Sequence, residues 1–204
     1  RQFMQCDIDI IGEESYLAEI DLLIASSKAL LNIGFDDFTI KINDRKILHA
    51  MADKWGFEEN NYNSVYVTLD KLDKVGVAGI KKELEEKEFA QEAIDAMITE
   101  IYTFKDTAQN ERATWKDIVN SEKEKWSDIA KEERAKYNDY MTEDLKKVID
   151  AIKEISNGKF KIEFDPTLVR GMGYYTGMIY EIKYKDYPGS VGGGGRYDKM
   201  IGKR

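Results

Sequence analysis

The sequence is poor in the residues that staple small folds: one cysteine, one histidine and two prolines in 204 residues. A lone cysteine, Cys6, cannot form an internal disulfide. In an alternating reading of the first residues it falls on an apolar face, which assigns it to core packing. The lone histidine, His49, sits in RKILHAM on a predicted helix and reads as a structural residue. No apolar run approaches the roughly 18 to 20 residues of a membrane helix, and no basic segment followed by an apolar one opens the chain. The expectation is a soluble, cytoplasmic protein with no membrane partner. Hydrophobic residues at 42% and charged residues at 34%, with so little proline, exclude the disordered and fibrous classes and favour a helix-rich globular one.

Positive charge is outnumbered, 31 Lys and Arg against 39 Asp and Glu. A formal net charge of −8 argues against a general nucleic-acid coat, which needs a basic footprint. The balance is uneven, however: from Lys159 to Arg204 nine Lys and Arg stand against five Asp and Glu. A basic C-terminal stretch on an acidic chain suits a local anionic ligand.

Periodicity divides the chain into three blocks. In the first, RQFMQCDIDIIG reads as a strand with Met4, Cys6, Ile8 and Ile10 on one face and Gln5, Asp7 and Asp9 on the other. Residues 15–33 follow at helical spacing through Leu17, Ile20, Leu23, Ile24, Leu30 and Leu31, with Ser15 as N-cap and Gly34 as stop. DDFTIKIND alternates Phe38, Ile40 and Ile42 as a second strand, and a short helix from Asp44 to about Trp55 comes next. The second block, 51–157, is charge-laced, free of proline and helical throughout. It holds an eleven-residue repeat in three copies starting at Trp115, Trp126 and Tyr137. Eleven residues span close to three turns, so these aromatics share one stripe, read as packing rather than as a base-stacking platform. Thr142 is placed to cap a new helix and end the repeat. Strands return in the third block with KFKIEF and with the alternation of Met178, Tyr180, Ile182 and Tyr184. The predicted fold is α+β with a largely antiparallel sheet: a first core part over 1–50, an all-helical insertion over 51–157, and a second core part over 158–204.

Two stretches could carry chemistry. In SVGGGGRYDKM, four glycines remove every Cβ from 192 to 195, and Arg196 follows at a predicted helix start. A flexible turn is one reading. Backbone amides beside a guanidinium fork, suited to a phosphate, are the other. Neither the Walker A spacing nor GxGxxG is present. In LVRGMGYYTGMIYE, Arg170 precedes glycines 171, 173 and 177, with Tyr174 and Tyr175 between them. Arg170 can stabilise charge developing on a phosphate, and a tyrosine hydroxyl can bond a small polar ligand. A bulged strand with packed tyrosines is the alternative.

Together, RQFMQCDIDIIG, LVRGMGYYTG and GGGGRYDKMIG, in that order, resemble motif 2, the histidine signature and motif 3 of the histidyl-tRNA synthetase family, class II aminoacyl-tRNA synthetases. VYVTLDKLDKVG is similar to that family's sequence between motifs. The resemblance implies a class II-like, mostly antiparallel sheet flanked by helices. It implies that Gln5 and Asp9 hold the α-amino group of histidine, that Arg170 is the catalytic arginine at the reacting carboxylate and α-phosphate, and that Tyr174 and Tyr175 close over the substrate. It also implies that Arg196, with Gly193, Gly194 and Gly195 and with Arg1 from motif 2, serves ATP. The substrates implied are ATP with Mg²⁺, histidine and tRNA(His), with no metal-ligating residues of the chain's own. The helical block corresponds to an insertion domain that approaches the tRNA acceptor stem.

The match begins inside motif 2 and ends just after motif 3. It therefore implies a catalytic-domain fragment of a homodimeric parent, paired through a motif 1 not present in this sequence, with little activity alone. Gly173 stands where the family often has Asp, and Asp7 has no assigned role. A non-catalytic, histidine-sensing regulatory paralogue would share the fold. Retention of Arg170, Gln5 and Asp9 favours the enzyme.

Overall fold

The computed structural model describes residues 2, 4–109, 141–170 and 173–201. The eleven-residue repeat, at 115–147, lies mostly outside the described residues, as do Arg1, Phe3, Gly171 and Met172.

The first helix, α1 (Leu17–Asn32), has Tyr16 rather than the expected Ser15 at its N-cap, without a side-chain cap bond, and Ser15 Oγ accepts from the Leu17 amide at 3.3 Å just before it. It stops in a Schellman motif, with Phe35 N donating to Leu30 O and Gly34 N to Leu31 O. Strand β1 (Phe38–Asp44) follows and buries Phe38, Ile40 and Ile42 completely. Asp44 then caps α2 (Arg45–Trp55), its carboxylate accepting from Lys46 N at 2.8 Å. Next come α3 (Tyr62–Leu69), α4 (Leu72–Glu86) and α5 (Gln91–Gln109). Thr142 Oγ1 accepts from Leu145 N at 3.2 Å and opens α6 (Glu143–Ser156), so the expected cap is real. Strands β2 (Lys161–Phe164), β3 (Met178–Tyr184) and β4 (Gly192–Gly195) and a final turn, α7 (Asp198–Ile201), complete the chain.

The four strands lie in the order β2-β1-β3-β4. β1 runs parallel to β2 and antiparallel to β3, and β3 antiparallel to β4, so the sheet is mostly antiparallel. Register pairs Ile40 with Ile162 and Ile182, and Ile42 with Tyr180, which gives the sheet one apolar face. α6 packs against α1 and β2 through Leu145, Val148, Ile149 and Ile152 at helical spacing. The same buried cluster continues from the sheet into α2–α5 through Leu48, Trp55, Tyr66, Leu84, Ile94 and Met97. Glu100 of α5 is buried there with Trp55 Nε1 donating to it at 2.6 Å and Lys54 at 3.2 Å, which satisfies a charge that burial would otherwise penalise. His49 sets its ring against the edges of Tyr62 and Tyr66, with centroids 5.1 and 5.7 Å away.

Four expectations are corrected. The opening stretch is not a strand: the described residues before α1 join no sheet, and Met4 and Ile11 are 93% and 70% exposed. Alternation defines two faces but supplies no ladder partner, and a strand without one leaves its backbone groups to water. Cys6 is accordingly exposed rather than packed, and Leu17 lies outside the buried stripe of α1. The glycine run is neither a turn nor a loop before a helix; it is strand β4, laddered to β3 from Ile179↔Gly195 to Ile182↔Gly192.

Candidate functional site

The loop that carries Arg170 is fixed at its entry by Asn43, a fully buried residue of β1. Its Nδ2 donates to Pro166 O at 3.1 Å and to Leu168 O at 3.0 Å. Asp165 adds a second anchor, accepting from Thr167 N and Oγ1 and from Lys41 Nζ at 2.7 Å. Burial pushes the Asp165 carboxyl up, but the Lys41 charge and these hydrogen bonds outweigh it and hold the group below its ordinary value.

Beyond this anchor, Arg170 lies over β4. A Cβ built at Gly193 would stand 2.6 Å from Arg170 Nη1 and 3.0 Å from Tyr180 O, so the glycine is what lets the guanidinium approach the strand. Arg170 Nη1 is 3.7 Å from Glu181 Oε1, and Lys183 Nζ is 3.2 Å from Glu181 Oε2. Glu181 thus balances two cations on one face of β3. Tyr175 is buried beside this group and hydrogen-bonds with Tyr174 and Arg170. Burial pushes its hydroxyl up to about 12, with the Tyr174 bond adding to the rise, so it stays a neutral donor at physiological pH. The two tyrosine rings are tilted with centroids 4.6 Å apart, Tyr174 reaching solvent at 38% exposure. A Cβ at Gly195 would be 2.9 Å from Tyr175 Cδ1 and one at Gly194 3.1 Å from Tyr180 Cε1. The run of glycines is therefore a strand over which Arg170, Tyr175 and Tyr180 are laid. Gly173 has no such constraint, since a Cβ there would meet Asn63 at an ordinary 3.8 Å.

Alternation along β4 sends Arg196 to the face of Gly192 and Gly194, toward α1. Its Nη1 donates to Glu19 Oε1 at 2.7 Å, its Nη2 to Glu13 O at 2.9 Å and its Nε to the Asp198 carboxylate at 3.1 Å. Burial alone would lower its pKa; the Glu19 and Asp198 carboxylates more than offset that and raise it. A cavity of about 270 Å³ opens beside Arg196, lined among others by Asp9, Leu22, Tyr180, Gly195 and Tyr197.

The structure thus brings together Arg170, Tyr174, Tyr175, Gly193, Gly194 and Gly195, with Arg196 on the opposite face of the same strand. Asp9 reaches this group through Tyr197, whose hydroxyl donates to its carboxylate. That bond, followed by burial and by the charges of Asp9 and Tyr174, raises the Tyr197 pKa. Gln5 donates to Asp7 at 2.9 Å, and no described contact joins it to Arg170 or the tyrosines. Glu19 and Glu181 were not singled out from the sequence. For Glu19 a signal existed: an acid in helical step with Leu23 and Ser27 on the buried stripe of α1.

Comparison with known proteins converges on one family. A family model described as histidyl-tRNA synthetase matches residues 1–204. The histidine–tRNA ligase of Leifsonia xyli subsp. xyli is 39% identical over 203 residues, covering 100% of this chain and 44% of the relative. That of Cytophaga hutchinsonii is 35% identical over 202 residues, covering 98% and 41%. Among solved structures, the histidyl-tRNA synthetase from Nostoc sp. PCC 7120 superposes with a TM-score of 0.65 at 23% identity, over 94% of this chain and 43% of that one. The chain spans less than half the length of these relatives. With a signature arginine, a tyrosine pair and a glycine strand set in one place, and a family match along its whole length, the chain belongs to the histidyl-tRNA synthetase family.

Proposed function

We propose that this chain forms part of the catalytic core of a cytoplasmic histidine–tRNA ligase, which activates histidine with ATP and passes it to tRNA(His). The observation that carries this reading is the placement of Arg170: a permanent charge held over a bare glycine strand, balanced by Glu181 and bonded to a buried, neutral Tyr175. In the proposed reaction a histidine carboxylate oxygen attacks the α-phosphate of ATP in line, the bond to the β-phosphate breaks, and histidyl-adenylate and pyrophosphate form. Arg170 stabilises the charge on the phosphoryl oxygens, Tyr174 and Tyr175 enclose the histidine, Asp9 and Gln5 accept from its ammonium group, and Arg196 with Gly193–Gly195 and Arg1 serve the triphosphate. The ribose hydroxyl of the terminal tRNA adenosine then attacks the carbonyl and releases AMP. Among the described residues no group of three carboxylate, histidine or cysteine side chains could hold a metal ion. Mg²⁺ would enter bound to the phosphate oxygens of ATP, where it offsets their charge.

The helical block 51–157 is proposed as the insertion that meets the tRNA acceptor stem, between core parts 1–50 and 158–204, in a homodimeric parent protein. No described helix is long and apolar enough to cross a membrane. The second reading, a histidine-sensing regulatory protein, draws on a neighbour titled ATP phosphoribosyltransferase regulatory subunit/histidyl-tRNA synthetase from Bacillus halodurans, with a TM-score of 0.59 at 15% identity. That likeness concerns the fold alone. Titration calorimetry with a non-hydrolysable histidyl-adenylate analogue tests the catalytic reading: binding that Arg170→Ala weakens at least tenfold supports it, and binding indifferent to Arg170→Ala contradicts it.

A further inference from the structure

Glu19 is a carboxylate only 9% exposed, on the stripe of α1 that otherwise faces the core. Such a charge is tolerated only when it is paired. One oxygen takes Arg196 Nη1 at 2.7 Å; the other, Oε2, is buried and finds no protein hydrogen-bond partner. Both residues line the cavity of about 270 Å³ and a second of about 260 Å³, so the pair stands between the two.

The other contacts of Arg196 are weaker constraints. Asp198 is 63% exposed, so its attraction is screened by water. Glu13 and Ser15 offer only main-chain carbonyls, at 2.9 and 3.5 Å. The aliphatic stem is held by close packing on Gly177, where a Cβ would approach Arg196 Cδ to 3.1 Å. Stem and guanidinium are thus gripped at two points, and the charged point is Glu19.

We infer that Glu19 is the positioning residue for Arg196, fixing the orientation in which its guanidinium meets an anionic phosphate group. This rests on the reading of Arg196 as the triphosphate-binding arginine. A long arginine that must find its rotamer in each binding event loses affinity through that ordering; one locked in place by a buried carboxylate has met the cost in folding.

The test is histidine-dependent exchange of pyrophosphate into ATP by the full-length protein that carries this chain, with KM measured for each substrate. Glu19→Gln keeps the shape and removes the charge; it raises KM for ATP about tenfold, the scale of one charge-assisted hydrogen bond, and leaves KM for histidine within about twofold. In an Arg196→Ala background, Glu19→Gln adds nothing further to KM for ATP. If Glu19→Gln does not fold, Glu19→Asp retains the charge one methylene short of its partner and carries the same selective rise, about threefold. An Arg196→Ala protein with unchanged KM for ATP overturns the reading of Arg196 and the inference with it. A raised KM in Arg196→Ala but not in the Glu19 variants, or Glu19 variants that raise both KM values alike, overturns the inference alone.

Discussion

The glycine strand makes opposite demands at neighbouring positions, and alanine substitution separates them. Alanine in a strand has less backbone entropy to lose than glycine, a gain of about 0.5–1 kcal/mol where its Cβ fits. At Gly192 the new atom meets only Ile182 Cδ1 at 3.3 Å, the far end of a side chain that can swing, so Gly192→Ala is neutral to slightly stabilising. At Gly195 it would lie 2.8 Å from Met178 O, 2.9 Å from Ile179 Cγ2 and 2.9 Å from Tyr175 Cδ1. The backbone oxygen cannot move without disturbing the Ile179↔Gly195 pair of the β3–β4 ladder, and the Tyr175 ring is buried. Overpacking of this kind costs about 1–3 kcal/mol, which outweighs the entropy gain. The two variants should therefore differ by about 2 kcal/mol, or about 1 M in urea midpoint at the m-value of a small domain. Gly193→Ala is intermediate in stability, since the crowded Arg170 Nη1 belongs to a side chain that can shift, but it displaces the guanidinium on which the proposed chemistry depends. Urea unfolding followed by tryptophan fluorescence reads the order. A Gly195→Ala midpoint equal to or above that of Gly192→Ala would refute the close approach of β4 to Met178 and Tyr175.

Thr142→Ala removes the hydroxyl that accepts from Leu145 N and should lower stability by about 1 kcal/mol, with Thr142→Ser restoring it, as read by the same urea midpoints. Glu83 carries a pH prediction: hydrogen bonds from Lys71 and then Lys87, aided by Thr68, hold its pKa at about 2 against an ordinary 4.5. Its folded-state pKa is depressed, so its stabilisation is present above about 4.5 and is lost as pH falls toward about 2. All three charged ends are partly in water, which reduces the contribution to about 1 kcal/mol. Glu83→Gln should therefore lie below the unmodified chain in urea midpoint at pH 6 and converge with it near pH 2, and equal midpoints at pH 6 would remove this network from the account.

Where local chemistry decides the structure, the sequence was a sufficient guide. Gly34 stops α1, Asp44 and Thr142 cap α2 and α6, and the period-2 pattern of Phe38, Ile40 and Ile42 is the core face of β1. The opening stretch has an equally clean pattern, yet stays outside the sheet because alternation says nothing of what a strand pairs with. At the site, glycines and an arginine advertised close approach but not its direction. Gly193 turned out to admit Arg170, and Gly195 to admit Tyr175, from elsewhere in the chain. Arg196 read as a free phosphate fork, whereas its partner Glu19 lies 177 positions away, a distance that no local pattern spans.

The role of Arg170 is tested by histidine-dependent pyrophosphate exchange by the full-length protein, with Arg170→Ala beside it. Exchange should occur with histidine and not with other amino acids, and should fall about a hundredfold or more in Arg170→Ala while the fold, read by circular dichroism, is unchanged. A folded full-length protein that exchanges nothing, or an Arg170→Ala variant that exchanges at the unmodified rate, would contradict that role.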